Sequence, residues 1–226
     1  LRSSAVTAET GVFALSGQDA AFANTYAIAA EVGTLTLSGG VADFTTGLRV
    51  GADNGAFALS GQAAGITAAY RITADAGMLA LSGNDAALNI GKSIIADAGT
   101  FDIFGQDAGI RKDSTASAET GVFAFSGFAA GVYYSGANTL TANTGPFTLS
   151  GQDAALYKAS RGAADTGVFS LSGQDAGVVR AIRMSADGGS FSISGNASAL
   201  LRSITLAADT GVFRLTGRQA GVGLTA

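Results

Sequence analysis

Gly167-Val168-Phe169-Ser170-Leu171-Ser172-Gly173-Gln174-Asp175-Ala176-Gly177-Val178 decides the fold, because nearly the same residues run from Gly11 to Phe22 as Gly-Val-Phe-Ala-Leu-Ser-Gly-Gln-Asp-Ala-Ala-Phe. The phrase recurs along the whole chain. Its anchoring glycines are Gly11, Gly33, Gly55, Gly77, Gly99, Gly121, Gly145, Gly167, Gly189 and Gly211. Eight of the nine intervals between them are 22 residues, and the one from Gly121 to Gly145 is 24. A period this regular marks a repeat array in which each unit buries its apolar face against its neighbours. The expectation is a single array of ten units over 1–226, with a two-residue insertion near Ser135-Gly136.

Count each unit from its anchoring glycine as zero. Position −3 is alanine in all ten units, +6 is always glycine, and +9 is alanine in nine. Position +2 is phenylalanine in eight units and leucine at Leu35 and Leu79; +4 is always Leu, Ile or Phe; +11 is always apolar. Apolar residues at +2 and +4 with small or polar ones between have the period of a half-buried strand. Phe13 and Leu15 are expected inside, with Val12, Ala14 and Ser16 outside. Ser-Gly-Gln-Asp-Ala reads as a turn in which glycine supplies unusual backbone angles. A second, longer extended stretch follows, giving about 5 and 9 residues of strand per unit. Glycine recurs too often for helix.

Bases sit at +13 (Lys112, Lys158, Arg180, Arg202) and at +16 (Arg49, Arg71, Arg161, Arg183). These positions have opposite parity, so a bend or bulge near +14 is needed to bring both to solvent.

The fold class is therefore all-β, and two packings satisfy the pattern. In a β-solenoid each unit is one coil stacked about 4.8 Å from the next. In an antiparallel meander each unit is a hairpin, and like positions lie roughly 9.6 Å apart. The small residues at −3 and +9 flank turns where two layers pinch together, which makes the solenoid the leading expectation and the meander the alternative. The acidic row at −2 favours the wider spacing, since stacked carboxylates repel. No unit carries a polar cap, so the ends call for missing sequence, a partner chain or self-association.

Composition narrows the function. Apolar residues are 47% and charged residues 13%, which is far from the signature of disorder. A net charge of −4 argues against a nucleic-acid partner. The chain has no cysteine and no histidine. No run reaches the roughly 18 apolar residues of a membrane helix. The chain begins at Leu1 rather than methionine, as a processed product or part of a longer chain would.

The row Glu9, Glu31, Asp53, Asp75, Asp97, Glu119, Asp165, Asp187, Asp209 has two readings. One is calcium binding, chiefly by Asp53, Asp75, Asp97, Asp165, Asp187 and Asp209. The other is turn chemistry, with each side chain bonding nearby N–H groups, and it is favoured because one acid per unit is few for six to eight ligands. Gln18-Asp19, Gln106-Asp107, Gln152-Asp153, Gln174-Asp175 and Asn84-Asp85 form a polar turn ladder able to grip sugars or a partner, or simply to keep that edge soluble. Fourteen of seventeen acids occupy −2 or +8 and ten of thirteen bases lie between +12 and +16, so charge is segregated into stripes. Such stripes can set register between subunits.

Catalysis finds no support. Every acid is repeated along a uniform wall, and the recurring serine at +5 has no histidine to activate it. No catalytic residue, cofactor or metal is assigned. The irregular spots are Phe104, Phe128, Tyr133-Tyr134 and Pro146. Phe128, Tyr133 and Tyr134 lie beside the insertion and form a candidate contact patch, or else cover a distorted coil.

The phrases at 11–22 and 167–178 resemble the GSFxLTGQDAGL-type tandem β-repeats of bacteriophage and prophage structural proteins, known from marine and alphaproteobacterial phages. The likeness runs over essentially the whole chain, with Val for Ser after the glycine and Ser for Thr before the next one. It implies a non-enzymatic structural role in a virion fibre, tail or head decoration, with a virion or extracellular location. The implied partners are further copies or other virion or fibre subunits, and the resemblance carries over no catalytic residues. The alternative is an adhesin or receptor-binding stalk directed at a cell-surface glycan or protein.

Overall fold

The structure is a computed structural model of the chain. It describes residues 5–23, 27–91, 93–113, 115–133, 139–157, 159–201 and 203–223. Among these there are strands joined by tight turns and no helix.

The chain folds as a β-solenoid in which each unit forms one coil. Every ladder is parallel and joins a residue to its equivalent in the next unit: Phe169 to Phe191, Asp153 to Asp175, Arg161 to Arg183. The hairpin meander requires antiparallel neighbours and is excluded. The stacked acids that had favoured it stand at least partly in solvent, where water screens them. The pairing offset is 22 residues except where Phe123 meets Phe147 and Thr115 meets Thr139, 24 apart. The two extra residues thus lie between Tyr133 and Thr139. Ser135, Gly136 and Tyr134 are outside the described residues.

Each coil has three straight runs, not the two expected. Unit eight shows them separately as Val168–Ser172, Asp175–Val178 and Ala181–Ala186. In unit two the same path is one continuous strand, Thr34–Ala52. The long stretch is broken at Val179-Arg180, positions +12 and +13, slightly before the expected bend. At the break Val179 and Arg180 both face out, and Arg183 on the next run is exposed as well. The side chains of Lys112, Lys158 and Arg202 lie outside the described set.

Two residues of each run point inward. On the first run they are +2 and +4, on the second +9 and +11. The third run contributes +17 and the constant alanine at −3. Ile28, Val50, Ile72, Ile94, Leu140 and Met184 of the +17 row are buried, forming a ladder that the period-two argument had not isolated. The central +2 phenylalanines are fully buried and form an unbroken pile from Phe101 through Phe123, Phe147, Phe169 and Phe191 to Phe213. Successive ring centroids are 4.6–5.1 Å apart and the rings tilt by no more than 14°. The parallel ladder sets this spacing, and it matches favourable ring contact. Leu79 ends the pile on one side.

The glycines answer to crowding between coils. A Cβ on Gly99 would lie 2.2 Å from the carbonyl oxygen of Gly77, and one on Gly39 would lie 2.4 Å from that of Gly17. None of the chain's described glycines adopts the left-handed backbone region. The unusual angles read from the sequence are therefore replaced by simple lack of room where one backbone lies on the next. The constant alanine at +9 has a related cause: a Cβ on Gly105 would come within 3.3 Å of the Ala86 Cβ, so a larger side chain at +9 has nowhere to go.

Candidate functional site

The acidic row runs in single file along the turn between units, one carboxylate per coil. Among the described residues no group of three metal-ligating side chains comes together, so Asp53, Asp75, Asp97, Asp165, Asp187 and Asp209 remain separate. The turn N–H groups are bonded by the preceding unit's backbone. Asp97 N–H donates to the Ala74 carbonyl at 2.9 Å, Ala98 N–H to Asp75 at 2.6 Å and Thr100 N–H to Gly77 at 2.9 Å. This backbone stitching takes the place of the expected side-chain bonds. Threonine at −1 strengthens it, with the Thr120, Thr144, Thr166 and Thr210 hydroxyls donating to the carbonyl of the −2 residue below. Asn143, the one non-acid of the row, donates through Nδ2 to the Glu119 carboxylate, which also accepts from Ser117 Oγ at 3.1 Å.

The basic residues at +16 stack on one another, Arg49 beside Arg71 and Arg161 beside Arg183. They share an outer face with the acids four positions on. Arg161 and Asp165 approach to 4.0 Å with both side chains well exposed, a pair worth little stability. Burial pushes the carboxyls of Asp43 and Asp102 above the ordinary value of 3.8. They stand singly, on different runs of units two and five, so they form no acid–base pair.

The place where the wall departs from its pattern is the corner between the first and second runs of units four to seven. Phe104 occupies +5, where the other units carry serine or threonine, and Phe128 occupies +7, where they carry Gln, Asn, Gly or Arg. The two residues sit in adjacent coils, 61% and 55% exposed. They flank a hollow of about 530 Å³ that passes over the glycines at +6, with Gln106, Ser126 and Ser150 beside it. Because those glycines carry no side chain, the hollow has a flat floor.

Around the corner lies a second hollow of about 540 Å³, bordered by Asp85, Asp107 and Tyr133. The Tyr133 ring folds back over Gly131, where a Cβ would lie 2.6 Å from its Cε2. It stacks on Tyr157 at 4.7 Å and 9°. Phe128 and Tyr133 therefore border separate hollows on either side of one corner, and Tyr134 is outside the described residues. The partner of Phe128 is Phe104. The sequence signals this pairing only as two lapses from the repeat in neighbouring units. Compared with protein-family models, curated proteins and solved structures, the chain matches none.

Proposed function

We propose that this chain is a non-enzymatic structural protein, a stiff β-solenoid rod that forms or decorates a phage virion, as fibre, tail or head appendage, or an extracellular fibre. The supporting observation is the in-register pile of buried phenylalanines from Phe101 to Phe213. Each coil repeats the last with the same contacts, so length scales with unit number and the rod resists bending. The partners are other copies of the chain or other subunits of the particle, at a virion or extracellular location. The test is labelling of purified particles or surface filaments with an antibody to the chain, paired with detection of its peptides in the washed particle. Absence of the chain from both would overturn the reading.

A second reading is favoured by one specific feature. The exposed pair Phe104 and Phe128 places two aromatic rings in adjacent coils at positions where the other units carry Ser, Thr, Gln, Asn, Gly or Arg, as a binding stalk carrying a local receptor site would.

A further inference from the structure

We propose that the hollow between Phe104 and Phe128 is a binding subsite for an uncharged carbohydrate. The proposal rests on the binding-stalk reading above and names the ligand class of that stalk.

The fold does not require these two phenylalanines. Eight other units place serine and one places threonine at +5, nine place something other than an aromatic at +7, and the same coil forms in all of them. The aromatic rings are spent on solvent, and in adjacent coils, so they border one hollow rather than two. Both rings line the hollow, and no described ring contact joins them across it.

The chemistry of the lining selects the guest. Among the described residues no ionisable side chain borders this hollow, although carboxylates border the two neighbouring ones through Asp19, Asp85 and Asp107. The polar groups present are amides and hydroxyls, from Asn84, Gln106, Ser126 and Ser150. Amides and hydroxyls both donate and accept, which suits a ligand rich in hydroxyl groups. A pyranose ring presents C–H bonds on one face and hydroxyls around its rim. The C–H face rests on the electron-rich face of an aromatic ring, and the rim meets the amides.

Size argues in the same direction. The hollow is open to solvent, so a guest lies across it rather than being enclosed. Two phenylalanines that bury at most about 150–250 Å² each fall well short of the roughly 800 Å² per partner of a stable protein interface. A longer saccharide would continue past Gln106 to the second hollow, where the Asp85 and Asp107 carboxylates accept hydroxyl hydrogen bonds beside Tyr133.

The test restores the repeat. Phe104→Ser and Phe128→Gln give each coil the residue its neighbours already carry, so the double variant keeps the fold, checked by an unchanged melting temperature. Wild type and variant are titrated with maltohexaose, cellohexaose, N-acetylchitohexaose and an anionic control, polygalacturonate, by saturation-transfer NMR and calorimetry. The expected result is binding of at least one neutral hexasaccharide by the wild type, a loss of at least tenfold in the double variant, and weaker binding of polygalacturonate. If no saccharide binds the wild type at 10 mM, the proposal falls. Equal binding by the variant would overturn the site while leaving the stalk reading intact. Preferential binding of polygalacturonate would overturn the uncharged class. If the wild type binds no saccharide and F104S/F128Q also leaves attachment to particles or cells unchanged, the binding-stalk reading falls together with the subsite.

Discussion

Phe147→Ala tests the stacked core most directly. Phe147 is fully buried and sandwiched between Phe123 at 4.7 Å and 6° and Phe169 at 4.8 Å and 3°. Truncating a buried phenylalanine to alanine costs about 3–5 kcal/mol through lost transfer energy and the cavity left behind. Three ring contacts disappear at once, with Phe123, with Phe169 and, tilted at 6.1 Å, with Phe125, each worth about 0.5–1.5 kcal/mol, so the cost belongs in the upper half of that range. The control is Phe13→Ala in the first described coil. Phe13 is 36% exposed, and its one described ring contact is with Phe22, tilted at 6.0 Å, so its loss costs about 1–2 kcal/mol by the area it removes from contact. Hydrogen-exchange mass spectrometry gives a local readout that survives non-two-state unfolding of an array. Because each coil depends on its neighbours, F147A is expected to speed exchange by roughly two to three orders of magnitude in Pro146–Tyr157 and also in the flanking Val122–Tyr133 and Val168–Ser172. Phe147→Leu, which copies Leu35 and Leu79, is expected to recover most of the protection. Equal effects of F147A and F13A, or a loss confined to one coil, would refute the shared-core reasoning.

Gly99→Ala and Gly11→Ala place the same change at equivalent positions with opposite expected outcomes. A Cβ at Gly99 meets the Gly77 carbonyl at 2.2 Å, whereas one at Gly11 meets nothing within 4 Å. Thermal melting should show G99A losing about 1–3 kcal/mol or more and G11A nearly unchanged; parity between them would mean that the glycines serve some other purpose. Thr73→Val should raise the melting temperature by a few degrees, since the Thr73 hydroxyl oxygen is buried without a hydrogen-bond partner and an unsatisfied hydroxyl costs about 1–3 kcal/mol. A drop would point to a water or partner on that oxygen. Asp102→Asn carries a pH signature. Burial raises the folded-state pKa of Asp102 above 3.8, so the folded chain takes up this proton before the unfolded chain does, and stability from this group falls as pH rises from 3.8 through the raised value. D102N should therefore melt higher than wild type at pH 7, with the difference vanishing below about pH 3.8; a pH-independent difference would contradict the cause assigned.

The +2 and +4 rows were legible because Phe and Leu recur at fixed spacing with small residues between them. The +17 row was harder to see. It runs through Ile28, Val50, Ile72, Ile94, Ala116, Gly162 and Met184, so neither residue type nor size is constant along it. Its variation is settled between neighbours: a Cβ on Gly162 would lie 2.8 Å from Met184 Cε, so the long side chain of one coil fills the space left by the coil before it. That Arg180 faces out, although +13 shares the odd parity of the inward +11 and +17, depends on the break at Val179-Arg180; the bases of opposite parity signalled a bend but not its place. The candidate site was partly legible. Phe128 stood out as a lapse from the repeat, but that it shares a hollow with Phe104 rather than with Tyr133 depends on how the corner turns.

The spacing of the anchoring glycines and apolar rows, taken alone, determined that this chain is an all-β array and which side chains in its first run lie inside. Period and polarity are local properties that survive in any packing of the units. Only the tertiary structure decided that neighbouring units run parallel, that each coil has three runs, and that the conserved-looking glycines answer to a backbone lying 22 residues away in the chain. Those facts depend on atoms brought together by stacking: crowding leaves glycine in the sequence, but the glycine alone does not say which distant segment lies against it.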